Sequence, residues 1–175
     1  LSAPVTSTAL ALAYRERIRA ALPAGSDFEP LMTLYLTDHT SAGEIGRARS
    51  RGVVRGCKLY PAGATTHAEA GVTDIGRLEE ALQAMMRVDL PLQVHGEVAD
   101  EGVDIFDREA RFIDTVLAPL AERYARLRIV LEHASTRAAV KFVQSGRAGL
   151  AATITPQHLM FNRNALFHSG LRPHH

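Results

Sequence analysis

The sequence lacks features that mark several classes of protein. It has a single cysteine, Cys57, so no disulfide can form within the chain, as is usual in a reducing compartment. Its 20 lysines and arginines nearly balance 19 acidic residues, whereas nucleic-acid binders usually carry a basic excess. No apolar run approaches the roughly 18 residues of a membrane span, and Leu1 to Ala13 lack the basic start of a signal peptide. We therefore expect a cytoplasmic protein without nucleic-acid or membrane partners.

The residues that are present have the composition of one globular domain. With 46% hydrophobic and 22% charged residues, the chain has enough apolar material for a core and gives no sign of disorder. Its 175 residues suit a single domain of common size.

Hydrophobic patterning predicts strands that alternate with helices. Apolar runs typical of strands cover 31–37, 53–61, 90–97, 128–135 and 150–157, and segments typical of helices cover 8–22, 41–52, 78–88, 106–125 and 135–146. The longest helix should be bent or interrupted at Pro119. The small and polar residues 62–71 should form a loop. This alternation is typical of βαβ units around a parallel sheet.

Polar residues stand at the ends of three consecutive apolar strands. Lys58, His95 and His133 are separated by 37 and 38 residues, which would place them at equivalent heights on successive strands. In a (β/α)8 barrel the carboxyl ends of the strands form the active-site face. Taken singly, a lysine here usually reaches solvent, and a histidine is usually a polar residue with an ordinary partner. Spacing alone therefore leaves open whether the three share a site.

Two histidines and a lysine are an unusual set of metal ligands. Imidazole nitrogens suit zinc, but the ammonium group of a lysine would repel the ion. Carboxylation of the amine would replace that charge with an anionic carbamate, whose two oxygens could each hold a metal. The sequence does not show this modification.

Longer strings of the sequence resemble dihydroorotases of the shorter bacterial type, in the amidohydrolase superfamily. These strings are KLYPAGATT, VHGE, DIFDREARFI, LEHAST and AATITPQHLMFNRN, and the match runs over essentially the whole chain. The resemblance implies an α/β fold of the (β/α)8 type with a two-zinc site, usually in a homodimer. It also implies reversible hydrolysis of dihydroorotate to N-carbamoyl-aspartate, a step of pyrimidine biosynthesis.

The resemblance also implies roles for particular residues. Lys58, in KLYP, would be the carboxylated residue that bridges two Zn²⁺ ions. His95, in VHGE, and His133, in EHAS, would be ligands of the second zinc. Thr65 and Thr66 would lie in a mobile loop that closes over the substrate, although a plain surface turn remains an alternative for both.

Other parts of the family's pattern are missing from the sequence. There is no His-x-His pair followed by an arginine, and the adjacent His174 and His175 have the wrong spacing for one. No GTDSAPH-like string, which would carry the general-base aspartate, follows Arg172. The catalytic base is therefore expected outside this chain.

Five predicted strands correspond to about strands three to seven of eight, so residues 1–175 are expected to form the central part of a single metal-dependent amidohydrolase barrel domain. A fragment of a complete enzyme is the preferred interpretation, because a short protein standing alone would expose two sheet edges and an apolar interior. Such a piece should oligomerise or aggregate rather than catalyse. A hydantoinase-like cyclic amidase and a catalytically inactive barrel used as a scaffold remain alternatives for the complete protein.

Overall fold

Five parallel strands and their connecting helices make up the computed structural model, which describes residues 3–171. His174 and His175 therefore lie outside the described residues. The strands are β1 (Met32–Tyr35), β2 (Val54–Leu59), β3 (Leu92–His95), β4 (Ile129–Glu132) and β5 (Leu150–Ala152). The helices are α1 (Thr8–Ala20), α2 (Ala42–Ser50), α3 (Glu79–Val88), α4 (Arg108–Phe112), α5 (Ala118–Arg123), α6 (Arg137–Ser145) and α7 (Pro156–Met160).

The strands lie in the sheet in the same order as in the sequence. All four neighbouring pairs are parallel, and helical segments connect each strand to the next. A doubly wound sheet would reverse its strand order at a switch point, whereas a (β/α)8 barrel adds each strand beside the previous one. The predicted fold class, a partial (β/α)8 barrel, is confirmed.

The two faces of the sheet differ in character. One face carries apolar side chains that are buried against the helices, among them Leu34, Cys57, Leu92, Val94 and Leu131. The alternate positions on β1, β3 and β4 are only partly buried and carry most of the polar side chains. This alternation follows from the period of two along a strand. Among residues 3–171, no helix is both long enough and apolar enough to span a membrane.

Side-chain caps define where several helices begin. The hydroxyls of Ser7, Ser41 and Thr136 each accept a backbone N–H at the first turn of α1, α2 and α6. Asp74 caps a 3-10 turn, Ile75–Leu78, that leads into α3. Helices α1, α2, α3 and α6 thus begin within two residues of their predicted starts.

The predicted long helix is one run of three parts. Between α4 and α5 lies a π-helical turn, Ile113–Leu117, which ends two residues before Pro119 in the first turn of α5. Proline has no N–H to donate to the carbonyl four residues earlier, which accounts for the irregular turn. The predicted interruption is confirmed.

The fifth strand was predicted too long. β5 ends at Ala152 rather than at residue 157, and α7 begins at Pro156. Thr155 caps α7 and a proline occupies its first position, so this short stretch carries helix-start signals. A 3-10 turn, Arg163–Phe167, follows and was also not predicted.

A buried contact joins the first two helices. The Glu44 carboxylate accepts hydrogen bonds from the backbone N–H of Thr8, at 2.6 Å, and from the Thr8 hydroxyl, at 2.5 Å. We call this arrangement, one carboxylate bonded to both donors of one threonine, a carboxylate–threonine clamp. Burial alone would raise the pKa of Glu44, but the bonds from Thr8 and Arg47 outweigh it and hold that pKa below its usual value.

Replacing Glu44 with glutamine should destabilise the protein by about 1–3 kcal/mol near neutral pH. Because the folded-state pKa is lowered, the stabilisation is present above the unfolded pKa of about 4.3. It is lost as the pH falls through the folded value. Urea unfolding at about pH 7 and about pH 3 measures this, and the difference from wild type should shrink at the lower pH. An equal difference at both pH values would contradict the assignment, and Glu122→Gln at an exposed position of α5 is the control.

Candidate metal centre

Three side chains predicted to share a site lie at the carboxyl ends of neighbouring strands. Lys58 is the last residue but one of β2, His95 is the last residue of β3, and His133 directly follows β4. Parallel strands place these ends at one edge of the sheet, which in a (β/α)8 barrel is the active-site edge.

The two histidine rings face each other. His95 Nδ1 lies 3.1 Å from His133 Nε2, and the ring centroids are 4.8 Å apart in an edge-on arrangement. Two neutral rings can reach this distance through one N–H···N hydrogen bond. Two nitrogens bound to one tetrahedral zinc would lie about 3.3 Å apart. The pair therefore has nearly the spacing that a shared metal ion requires.

Glu97 holds the other nitrogen of His95. Its Oε2 lies 3.0 Å from His95 Nε2, so the ring can donate its Nε2–H to the carboxylate and keep Nδ1 free of a proton. Metal-binding histidines commonly donate their second nitrogen to a carboxylate in this way.

Gly96, between these two residues, leaves room for the packing beneath them. A Cβ at this position would lie 2.4 Å from Leu131 Cδ1. The close approach of the buried Leu131 side chain thus explains the glycine of the VHGE string.

His133 directly follows β4 and has an unusual backbone dihedral angle. Its φ is 45°, in the left-handed region that non-glycine residues rarely adopt and that costs about 1–3 kcal/mol. The His133 N–H donates to Thr153 Oγ1 at 2.8 Å, and the next N–H, of Ala134, donates to the Thr153 carbonyl at 2.8 Å. Burial lowers the pKa of His133, and the nearby His95 and Lys58 lower it further. A lowered pKa favours the neutral ring, which is the form that binds a metal ion.

Lys58 is buried beside the histidine pair. It is only 8% exposed, and its ammonium forms an ion pair with Glu132. The Nζ atom also lies 4.7 Å from the centre of the Tyr60 ring. Burial lowers the pKa of Lys58, while Glu132 acts in the opposite direction. A lowered pKa increases the share of neutral amine, which is the form that can be carboxylated.

The three strand ends are staggered rather than level. Lys58 pairs in register with Gln93, and His95 pairs with Glu132, one residue before His133. The expectation of equivalent heights was wrong in this detail, because strands of a barrel are offset by its shear. The stagger leaves Lys58 in contact with Glu132 rather than with either histidine ring.

The predicted substrate loop is an irregular segment closed at its base. Ala62 N–H donates to the Val72 carbonyl and Val72 N–H to the Tyr60 carbonyl, at 3.0 and 2.8 Å. Thr65 and Thr66 are both exposed within the loop. Thr66 lines a cavity of about 750 Å³ together with Lys58, whereas Thr65 is not among its lining residues.

A second carboxylate–threonine clamp ends this loop. Asp38, which follows β1, accepts from Thr73 N at 2.8 Å and from Thr73 Oγ1 at 2.5 Å. The hydrogen bond from the Thr73 hydroxyl is the main reason that the pKa of Asp38 lies below its usual value. This clamp and the two backbone bonds therefore fix both ends of the loop between Pro61 and Val72.

The donors in residues 3–171 fit part of a metal site but not a whole one. Within these residues, no group of three or more His, Cys, Asp or Glu side chains is arranged to hold a metal ion. His95 and His133 supply two converging imidazoles, and Lys58 would supply an anionic oxygen donor only after carboxylation. Cys57 is excluded, since its side chain is buried on the helix side of β2 and burial raises its pKa to about 12.

Comparison with curated proteins extends the resemblance noted in the sequence. The chain is 61% identical over 177 aligned residues to the dihydroorotase of Nitrosomonas europaea, and 59% identical over 175 residues to that of Methylobacillus flagellatus. Each match covers 100% of the chain and 51% of the relative. The resemblance to dihydroorotases is confirmed. The chain spans about half the length of the curated dihydroorotases it matches, and no protein-family model matches it.

Solved structures agree with the sequence comparison. The crystal structure of dihydroorotase from Campylobacter jejuni superposes with a TM-score of 0.86 at 34% identity, over 98% of this chain and 48% of that one. The dihydroorotase of Saccharomyces cerevisiae in complex with 5-fluoroorotic acid gives 0.80 at 28% identity, over 93% and 48%. The L-hydantoinase of Arthrobacter aurescens gives 0.72 at 18% identity, over 93% and 39%, and shows a shared fold alone.

Three carboxylates at this dihydroorotase-like site were not predicted from the sequence. Glu97 could have been found, because the predicted third strand, 90–97, placed it two residues from His95 on the same face, although β3 itself ends at His95. Glu132 faces Lys58 across an intervening strand, and Glu109 contacts the segment after His133 from another helix. Contacts between residues so far apart in the sequence cannot be predicted from a local pattern.

Replacing Gly96 with alanine should destabilise the protein by about 1–3 kcal/mol, because its methyl group would overlap the side chain of Leu131, which is fully buried and has little room to move. The matched change, Gly46→Ala in α2, meets nothing within 4 Å and should be neutral or stabilise by up to about 1 kcal/mol. Urea unfolding of the two variants gives both values. Similar effects at the two glycines would show that the packing under His95 is looser than described.

Proposed function

We propose that this chain supplies the central part of a zinc-dependent dihydroorotase. The complete protein would hydrolyse the cyclic amide of dihydroorotate to N-carbamoyl-aspartate, and run the reverse cyclisation, in pyrimidine biosynthesis. The proposal includes the assignment of residues 1–175 to one amidohydrolase barrel domain. It also includes a homodimer in the cytoplasm, as the resemblance implies.

One observation carries the proposal. His95 and His133 converge with ring nitrogens 3.1 Å apart at the active-site edge, in a chain that is about 60% identical throughout its length to dihydroorotases. The match over the whole chain favours dihydroorotate over other cyclic amides. The likeness to a hydantoinase is one of fold, so it supports no separate substrate.

Some residues of this chain would bind zinc, and others would orient the zinc ligands. His95 Nδ1 and His133 Nε2 would hold one zinc, and Glu97 would fix the tautomer of His95. Lys58, as a carbamate, would bridge two zinc ions, and Glu132 would then have to release it. When bound, zinc polarises the amide carbonyl and makes water a nucleophile near neutral pH.

Further parts of the reaction belong to residues that this sequence does not contain. The proton from water has to be accepted by a base and passed to the leaving nitrogen. The aspartate implied for that role is absent from the sequence, as is the His-x-His pair implied for the first zinc. Thr66, on the predicted substrate loop, lines a cavity that Lys58 also lines but that His95 and His133 do not, and it would help to cover the substrate.

The 175-residue chain alone should show no hydrolysis of dihydroorotate, because the donors it contains make at most half of the implied metal shell. Exposed Phe28 and Leu31 near β1, and Leu159 and Met160 after β5, should make the isolated chain self-associate. Turnover assays on the isolated chain test the expected lack of hydrolysis, and light scattering tests the expected self-association. Robust turnover would mean that the missing ligands are misassigned.

Replacing Lys58 with alanine in the complete protein should abolish activity, and small carboxylic acids should restore part of it by standing in for the carbamate. A readout independent of activity is ¹³C NMR after exposure to ¹³C-bicarbonate, which should show a carbamate signal that is lost in Lys58→Ala.

Lys141 provides the matched control, since it is the second of the two lysines in this sequence and is exposed on α6. Lys141→Ala should keep both the activity and the NMR signal. Undiminished turnover in Lys58→Ala would exclude the assigned role. A fully metal-loaded but inactive complete protein would favour the alternative of a barrel used as a scaffold.

A further inference from the structure

A third carboxylate–threonine clamp lies next to the candidate metal centre. Glu109, in α4, accepts from Thr136 N at 2.8 Å and from Thr136 Oγ1 at 2.6 Å. The same carboxylate accepts from Ser135 N, 3.1 Å from each oxygen, and from Ser135 Oγ at 3.3 Å. Two backbone N–H groups and two hydroxyls therefore converge on one side chain.

The segment held by this clamp begins at a metal-ligand candidate. Only Ala134, 3% exposed, stands between His133 and the two residues bonded to Glu109. The hydroxyl of Thr136 also accepts from Ala139 N at 3.2 Å, so the clamp locks the start of α6 as well. A carboxylate is favoured at a helix start, where the backbone N–H groups point outward.

His133 needs support on both sides because of its left-handed backbone. Such a conformation persists only where the surroundings determine it. On one side, Thr153 at the end of β5 accepts the His133 N–H. On the other side, Glu109 accepts the hydrogen bonds of Ser135 and Thr136, which would keep the chain after Ala134 from relaxing towards an extended form. A relaxed turn would swing the His133 ring away from His95.

We propose that Glu109 is a positioning residue that holds the His133 ring in its metal-binding orientation through Ser135 and Thr136. The inference rests on the proposed function, because it takes His133 to be a zinc ligand. Glu109 itself contacts neither histidine. Its effect reaches the metal through the backbone, so it should change metal affinity more than it changes global stability.

The chain contains a matched control for this idea. Glu44 makes the same clamp with Thr8, at 2.6 and 2.5 Å, but joins α1 to α2 and does not touch the segment that carries His133. The alanine and glutamine variants at 109 and at 44 each disturb a clamp on one threonine, although Glu109 also accepts from Ser135 and Glu44 also pairs with Arg47. Only the pair at 109 should alter the candidate site.

The experiment uses the complete protein with wild-type sequence, Glu109→Ala, Glu109→Gln, Glu44→Ala and Glu44→Gln. Zinc affinity is measured by competition with a chromogenic chelator, and the visible spectrum after Co²⁺ substitution reports the ligand geometry. Loss of an outer support typically weakens metal binding by about 10- to 100-fold. We expect that loss for Glu109→Ala, a smaller loss for Glu109→Gln and an altered Co²⁺ spectrum for both, with wild-type behaviour for the Glu44 variants.

Thermal unfolding of the metal-free variants separates positioning from folding. Support for the inference requires weaker zinc binding in the Glu109 variants than in Glu44 variants of equal or lower stability. Equal zinc affinity in the two sets would overturn the inference and leave the proposed function intact. Failure of the wild-type protein to bind zinc, or binding unaffected by His133→Ala, would overturn the proposed function and the inference together.

Discussion

On each of the five strands, successive side chains face opposite sides of the sheet. The separation of the apolar core from the polar candidate site depends on that alternation. Leu92 and Val94 pack against the helices, while Gln93 and His95, between and after them, face the other way. A one-residue slip of β3 would bury the imidazole and expose the leucine. The same register therefore sets both the packing of the core and the positions of the polar side chains at the strand ends.

Three carboxylates form hydrogen bonds or ion pairs with the polar groups at the strand ends. Glu132 pairs with the buried Lys58, Glu97 bonds to the far nitrogen of His95, and Glu109 anchors the segment that follows His133. A lysine that is 8% exposed would be costly without such a partner. Each candidate ligand is thus accompanied by one acidic residue, which contacts the ligand itself or the segment next to it.

The sequence predicted the βα alternation and the residues at the strand ends, because both arise from local periodicity. Lys58, His95 and His133 could be selected as candidates since each ends an apolar run. The stagger between Lys58 and His95 could not be predicted, because register depends on backbone pairing between strands. Glu132 and Glu109 were missed because their partners lie 74 and 27 residues away in the chain. The metal-binding roles stay predictions, carried by the resemblance.

The three carboxylate–threonine clamps have a consequence for how the chain folds. Their partners are 27 to 36 residues apart, so each clamp ties one βα unit to a neighbouring part of the barrel. A unit separated from its neighbour would leave a threonine N–H and a carboxylate without their partners. Adjacent βα units are therefore expected to become ordered together during folding. The five-stranded sheet and its helices should likewise unfold as one cooperative block. Swapping single βα units between related barrels would have to exchange both partners of a clamp at once.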